Sequence, residues 1–325
     1  MELKPTVIST FAGTGGSSLG YKWAGYKELL AVDWEEQAVE CFKLNFPEVP
    51  CWKRDITKLE GREILEFCKL KIGELDVFDG SPPCQGFSTA GRRNVSDPRN
   101  DLFQHYIRLV RELEPKVFVM ENVTGMVKGT MKGRFIEIIR LLKTLNYNVK
   151  CKQMNSMYYG VPQSRERLIF IGTRKDLPIK PVYPIPNKKI ISIKEIFPDV
   201  ISTGRGQFDN THRSSRKPGY TLTKTRTMEF RFKDGSVRYP TIKECLRLCS
   251  FPLDWKMTGT ENEKWSRLGN AVMPKFMQAI AETIKNEILN HTYHRTSSPL
   301  SDEFPNDVSD IKTKGSKPRR RLQHL

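Results

Sequence analysis

The chain has 325 residues, 38% of them hydrophobic, which is enough to bury a full core and to form one large domain with a smaller one beside it. Its formal charge of +17 points to a polyanionic partner, nucleic acid above all. No apolar run approaches the ~18 residues of a membrane span, and the N-terminus enters a strand with no signal-peptide core, so a cytoplasmic (intracellular) protein is expected.

Thr6 to Phe11 reads as a buried strand, and Ala12-Gly-Thr-Gly-Gly-Ser-Ser-Leu-Gly20 turns it into a helix carrying Leu19 and Trp23. Glycines at such a turn let a ligand approach backbone N–H groups at a helix N-terminus. A dinucleotide site would place a third glycine where Ser18 stands, so a nucleoside-type cofactor without a pyrophosphate fits better than NAD. The next strand, Glu28 to Asp33, ends in an acid placed to accept ribose hydroxyls, and Trp34 can cover an adenine face. An acidic helix cap beside a core Trp would look the same from these two residues alone. A helix from Glu36 to Asn45 follows, and then a short strand at Cys51 that ends with Asp55-Ile56, so Asp55 faces the same cofactor.

Leu75, Val77 and Phe78 form a short apolar run that meets Gly80 and two prolines, which leaves Cys84 on a rigid loop just past a strand end. Ligands bind at that end of open parallel sheets. Most lone cysteines are inert packing, but the Pro-Pro-Cys-Gln-Gly setting marks Cys84 as a nucleophile. Seven cysteines without C-x-x-C spacing argue against both a disulfide frame and a zinc site, and Cys245 and Cys249, one helical turn apart, read as helix packing. Asp97-Pro-Arg-Asn-Asp-Leu-Phe103 opens a helix through Leu113, and Lys116 to Val123 is a strand with Glu121 at its carboxyl end. A helix (134–145) and a strand (147–154) lead to Gln163-Ser-Arg-Glu-Arg167, whose two arginines share a strand face and suit a phosphate or a base carbonyl.

Prolines 178, 181, 184 and 186 mark an extended connection out of the first domain. Met228 to Tyr239 reads as a hairpin on a two-residue Asp234-Gly235 turn. That turn puts Phe230, Phe232, Val237 and Tyr239 on a packed face and Arg231, Lys233, Ser236 and Arg238 on a basic one. Nine basic residues against three acidic between Thr203 and Arg238 favour contact with nucleic acid. A helix ends before Pro252, a last amphipathic helix runs from Lys275 to Leu289, and the Ser-, Pro- and charge-rich tail from 291 to 325 is expected to be disordered.

A thiolate, an acid that can hold a proton and a nucleoside-type cofactor share one close-fitting use: attack by sulfur on C6 of cytosine. Carbon C5 is not nucleophilic until C6 receives an electron pair, which Cys84 supplies as a covalent adduct. Glu121 bonds or protonates ring nitrogen N3, and C5 then takes a sulfonium methyl.

The chain resembles the cytosine-C5 DNA methyltransferases through several motifs in order. These are Phe11-Ala-Gly-Thr-Gly-Gly16, Asp33-Trp34, Asp55-Ile56, Gly80 to Ser88, Asp97 to Phe103, Glu121-Asn-Val123, Gln163 to Arg167, Arg238 to Pro252 and Gly269-Asn-Ala-Val272. The resemblance implies an α/β fold: a doubly wound, Rossmann-like S-adenosylmethionine-dependent methyltransferase domain (1–174 and 263–290) with a smaller inserted target-recognition domain (175–262). It implies S-adenosyl-L-methionine as cofactor and S-adenosyl-L-homocysteine as product. Cys84 is then the nucleophile, Glu121 the N3 partner, and Arg165 and Arg167 hold the base and its neighbourhood, with Arg167 on the cytosine O2. Phe11, Gly13, Gly15, Gly16, Asp33, Trp34, Asp55, Ile56, Pro83 and Leu102 line the cofactor pocket, and Asn270 and Val272 close it. Double-stranded DNA is the substrate, with the target cytosine flipped out of the helix, and Gln85, Ser88, Arg99, Gln163, Thr223, Arg226, Arg231 and Lys233 are the expected DNA contacts. A monomer is expected, and a separate cognate restriction endonuclease is a partner that the resemblance allows.

Three departures stand out. Ser9 occupies a position where many relatives have an acid, implying a missing cofactor contact, while Pro240 replaces an expected Leu and Ser250 an expected Gly, which touches the packing of the insert on the core. The rival readings are a tRNA cytosine-5 methyltransferase of the same family, whose Cys-Phe-Thr signature is absent from the insert, and a catalytically inactive DNA-binding protein.

Overall fold

The computed structural model describes residues 4–83, 101–127, 132–204 and 211–290. In the first half, strands and helices alternate: β1 (Thr6–Thr10), α1 (Gly16–Trp23), β2 (Lys27–Asp33), α2 (Glu36–Asn45), β3 (Cys51–Lys53), α3 (Gly61–Cys68) and β4 (Val77–Gly80). Then come α4 (Leu102–Leu113), β5 (Val117–Val123), α5 (Lys132–Lys143), β6 (Tyr147–Asn155) and β7 (Glu166–Arg174). The seven strands form one sheet in the order β3-β2-β1-β4-β5-β7-β6, parallel except for β7, which runs antiparallel to both β5 and β6.

The strands are apolar on both faces, as a sheet covered on both sides requires. Val7, Val77, Val117, Val119, Ile169 and Ile171 point to one core with Leu19, Tyr21 and Phe42 of α1 and α2 and with Phe46 just past α2. Their chain neighbours Ile8, Phe78, Phe118, Met120, Leu168 and Phe170 point to a second core with Ile64, Phe103, Tyr106, Ile107 and Leu142 of α3, α4 and α5. The chain therefore winds outward from β1 in one direction and returns to β4 to wind the other way. The reversal between β1 and β4 is the place where such sheets open a ligand crevice. The α/β doubly wound fold expected from the sequence is the one observed.

The rest of the chain adds α6 (Ile193–Ile196), β8 (Val200–Gly204), β9 (His212–Ser214), β10 (Glu229–Phe232), β11 (Val237–Arg238), α7 (Ile242–Leu248), α8 (Glu261–Asn270) and α9 (Pro274–Ile284). The four short strands form a second, antiparallel sheet in the order β11-β10-β8-β9. Helix α9 returns to the first sheet and packs on α1 so closely that a Cβ at Gly20 would lie 2.7 Å from both Met277 Cβ and the Pro274 carbonyl.

The hairpin forms where expected but with a different turn. Phe230 pairs with Arg238 and Arg231 with Val237, and the Phe232 amide donates to the Ser236 carbonyl at 3.0 Å. The loop is therefore three residues, Lys233-Asp234-Gly235, with Gly235 in the left-handed region at φ 84°. One extra loop residue flips every side chain of the second strand. Val237 and Tyr239 are consequently exposed instead of packed, and Arg238 shares a face with Phe232, its guanidinium 4.9 Å from the ring centre.

The two departures near α7 are absorbed locally. Ser250 takes φ 63°, a left-handed position that explains the expected glycine, and its hydroxyl accepts the Lys275 amide in the first turn of α9 at 3.2 Å. Pro240 is buried just ahead of the Thr241–Glu244 capping box of α7.

Candidate active site and cofactor loop

At the end of β1 the chain must turn sharply into α1, and it does so with Phe11, Gly13 and Gly15 at φ 55°, 55° and 86°. Gly15 caps α1 without a side chain, so the first-turn amides of the helix have no side-chain oxygen on them. Asp33, at the tip of β2, accepts the Gly13 amide at 2.8 Å and the Glu35 amide at 2.9 Å, while burial raises its carboxyl above the ordinary range. Beside it the Trp34 side chain is 71% exposed, an unusual state for the largest apolar residue. A Cβ at Gly13 would meet nothing nearer than the Phe11 carbonyl at 4.0 Å, which leaves an open cradle over the backbone. Open backbone donors, a carboxylate and an exposed indole suit a nucleoside bearing an amino-acid tail.

The loop is held from outside by distant parts of the chain. The Trp255 indole donates to the Thr14 hydroxyl at 3.2 Å. A Cβ at Gly15 would strike the Phe46 ring at 2.6 Å, and one at Gly16 would strike the Val272 carbonyl at 2.1 Å. Val272 therefore closes the loop through its backbone. Asn270, the exposed last residue of α8, stands near it in sequence but points to solvent, and Asp55 is exposed with its carboxylate on the Thr57 amide at 2.9 Å. Ile56 is buried, while Pro83 and Leu102 are half-buried.

Strand β4 leads from Gly80 to Ser81-Pro82-Pro83, and the nucleophile candidate Cys84 lies outside the described residues, as do Gln85, Ser88 and Arg99. The approach to it is fixed from β5: the Asn122 side-chain amide donates to the Pro82 carbonyl at 3.1 Å. One residue earlier on β5, Glu121 is 8% exposed and is paired with Arg167, Nε to Oε1 2.7 Å. Arg167 stands opposite Val123 on β7, the diagonal neighbour of Glu121 across an antiparallel pair.

Arg165 precedes β7 and does different work. It is buried, and its guanidinium donates to the carbonyls of Leu222 (3.0 Å), Gly269 (3.0 Å) and Ala271 (3.1 Å). Burial, with the Arg167 charge nearby, pushes it down to about 9. The planar fork of Arg165 is filled by backbone and ties the β7 entry to the Gly269–Ala271 segment. Gly269 is needed there because a Cβ would lie 2.3 Å from the Thr223 carbonyl.

Gln163 is likewise engaged by the protein's own backbone. It is fully buried, accepts the Leu222 amide at 2.8 Å and donates to the Leu248 carbonyl at 3.2 Å. Two positions apart on an extended segment, Gln163 and Arg165 share one direction, here into the protein. Thr223 bonds the Thr225 carbonyl and the Thr227 hydroxyl within its own turn. The Arg226 guanidinium lies 5.3 Å from the Tyr239 ring and 5.2 Å from the Trp265 ring. Arg231 is half-buried with its Nε lacking a hydrogen bond, and Lys233 is exposed at the hairpin turn.

Comparison with known proteins decides the family. The chain matches the C-5 cytosine-specific DNA methylase family over residues 5–209 and 198–286. It belongs to that family. The Type II methyltransferase M1.HphI of Haemophilus parahaemolyticus is 31% identical over 326 residues, covering 86% of each chain. M.NgoPII of Neisseria gonorrhoeae is 28% identical over 87% of this chain and 96% of its own, and M.DdeI of Desulfomicrobium norvegicum 38% identical over 62% of this chain and 50% of its own. Among solved structures, the Entamoeba histolytica methyltransferase EhMeth superposes with a TM-score of 0.68 at 19% identity, covering 88% of this chain and 99% of that one. The S. pombe Dnmt2 methyltransferase gives 0.65 at 19% identity over 87% and 99%. This cytosine-5 DNA methylase is a transferase, and its family takes the methyl group from S-adenosylmethionine.

Within the methylase, inspection of the sequence alone missed Asn122, Thr14, Trp255 and the carbonyl of Val272. Asn122 sits inside the Glu-Asn-Val motif and could have been found there. The Trp255–Thr14 bond joins residues 241 positions apart and leaves no local pattern.

Proposed function

We propose that this methylase modifies cytosine at C5 within a short sequence of duplex DNA, with Cys84 as nucleophile and the Glu121–Arg167 pair as the group that receives the base. The pairing of a buried carboxylate with an arginine on the neighbouring strand, beside the strand end that leads to Cys84, carries this reading. Cys84 donates an electron pair to C6, Glu121 holds a proton at N3 so that the displaced charge rests there, and the Arg167 guanidinium faces the O2 carbonyl. When bound, S-adenosylmethionine supplies an electrophilic methyl group. Loss of the C5 proton then expels the Cys84 sulfur and restores the ring. Asp33, Trp34 and the open face of Gly13 hold the cofactor, and Asn122 holds the Pro82 carbonyl, two residues before Cys84.

The second sheet supports a duplex as partner. A cavity of about 440 Å³ opens on it, lined by His212, Arg213, Ser214, Lys217 and Tyr220, with the Arg213 guanidinium 4.1 Å from the Tyr220 ring centre. Basic side chains stacked on aromatics suit phosphates and splayed bases. The relatives' names as Type II methyltransferases support a restriction endonuclease of the same target as a separate partner, and the protein is taken to act as a monomer. Among the described residues no helix is long and apolar enough to cross a membrane. Bisulfite sequencing of DNA from cells expressing the protein tests the reading: converted-resistant cytosines should appear in one sequence context and vanish with Cys84→Ser. Methylation that persists in that variant would remove Cys84 from the mechanism.

A further inference from the structure

Of the buried carboxyls that the reaction described above leaves unused, Asp76 is paired with Lys116, whereas the other stands where the cofactor loop meets the strand that leads toward the nucleophile. Asp79 lies on β4 five positions before Cys84, 2% exposed. Its Oδ2 accepts the Ser17 hydroxyl at 2.6 Å and its Oδ1 the Tyr21 hydroxyl at 3.3 Å. Ser17 is in the first turn of α1, directly after the glycines of the cofactor loop, and that turn has no side-chain cap. No lysine or arginine is paired with Asp79 among the described residues. A buried carboxylate without a cation is costly, and an apolar side chain of similar size would fill the space without that penalty. The in-register neighbour of Asp79 on β1 is Ser9, the position where the family resemblance led one to expect an acid. In this chain the acid sits one strand over.

We propose that Asp79 is a positioning residue for the cofactor: its carboxylate holds the first turn of α1, and so the glycine loop, against β4, the strand that precedes Cys84 in the chain. This rests on the reading of that loop as the S-adenosylmethionine site. The charge state of Asp79 should then be felt in cofactor binding. Burial pushes its carboxyl up to about 7, the Ser17 and Tyr21 hydroxyls pull it down, and the Glu121 charge adds to the rise. The ionised form, able to accept both hydroxyls, prevails above that pH and is lost below it.

The other titratable groups facing Asp79 are Tyr21 of α1 and Tyr106 of α4, both raised well above 10 by burial, Glu121 of β5, and Glu28 of β2. Glu28 needs a control, because burial pushes it up to about 8 and it accepts the hydroxyl of the adjacent Ser18 at 2.8 Å. The folded state also binds the Asp79 proton more tightly than the unfolded chain does. Stability contributed by this group therefore falls as pH rises from its ordinary value near 3.8 through about 7.

The test is titration of the full chain with S-adenosylhomocysteine by calorimetry between pH 6 and 8.5, with thermal melts at each pH. Asp79→Asn keeps the shape and never carries the charge. It should bind about as well as wild type at pH 6 and roughly tenfold more weakly at pH 8, the size of one charge-assisted hydrogen bond. It should melt no lower than wild type at pH 8. Because both proteins meet the same ligand, its own titration cancels. Ser17→Ala should open the same gap, the double variant should bind no worse than either single one, and Glu28→Gln should keep the wild-type profile. A constant ratio between Asp79→Asn and wild type at every pH, a profile abolished by Glu28→Gln instead, or a lower melting temperature with unchanged affinity would each overturn the proposal. Failure of the wild type to bind S-adenosylhomocysteine at any pH would overturn the cofactor reading beneath it, and this proposal with it.

Discussion

Arg165 and Arg167 are two positions apart, yet the structure predicts opposite consequences for the same substitution. Replacing Arg165 by Lys removes a planar fork that serves three backbone carbonyls from two separate segments. An ammonium reaches at most one or two of them from that stem. Each carbonyl left without a donor costs about 1–3 kcal/mol, and relief of part of the burial penalty of the guanidinium offsets some of the loss. The net destabilisation should be about 3 kcal/mol, the lower end of what breaking a buried charged network costs. With a urea slope of roughly 3 kcal/mol/M for a domain of this size, the unfolding midpoint should fall by about 1 M. Arg167→Lys leaves that junction intact and should shift the midpoint little, while removing the shaped donor next to Glu121 and lowering kcat/KM by on the order of a hundredfold. Urea titrations followed by tryptophan fluorescence, with tritiated methyl transfer on the same samples, read both effects. Equal destabilisation by the two variants, or an Arg165→Lys protein as stable as wild type, would refute the assignment of Arg165 to the junction.

Three other expectations follow from the same geometry. Glu121→Gln should slow methyl transfer by on the order of 10²–10⁴ while changing DNA affinity far less; equal losses in a binding shift and in turnover would make Glu121 structural. Gly16→Ala and Gly13→Ala should part company: the first drives a Cβ to 2.1 Å from the Val272 carbonyl and should lower the melting temperature, whereas the second has open space. The Gly13 variant should fold with a strain of about 1 kcal/mol and lose S-adenosylhomocysteine binding in calorimetry, and intact binding would place the cofactor elsewhere. Neutralising Arg231 and Lys233 together should weaken DNA binding and reduce the slope of log K against log salt by roughly 1–2, which a fluorescence-anisotropy salt series measures; an unchanged slope would put the duplex on another surface.

The parts of this architecture that were legible in the sequence are those written locally. Buried strands, the glycine turn and the proline-bounded strand end each announce themselves within a few residues, and their order along the chain is enough to give a doubly wound sheet. The hairpin shows the limit of such reading. Asp234-Gly235 fits a two-residue turn as well as the last two positions of a three-residue one, and only the pairing of Phe230 with Arg238 decides between them. Gln163 and Arg165 show another limit. The spacing of Arg165 and Arg167 fits a common strand face, but a chain that passes from a loop into a strand changes what each direction meets. Asp79 was invisible for a third reason: its partner Ser17 is 62 positions away, and an acid in an apolar strand carries no mark of what it touches.

The central claim is covalent attack by Cys84 on a flipped cytosine, and trapping tests it most directly. Duplexes of mixed sequence carrying 5-fluorocytosine, incubated with the protein and S-adenosylmethionine, should yield a denaturation-resistant complex, because fluorine at C5 cannot leave as a proton does. Peptide mapping should place the attached base on Cys84, and Cys84→Ser should form none. A wild-type protein that methylates DNA of the same composition yet forms no such complex, or one attached through another residue, would contradict the account.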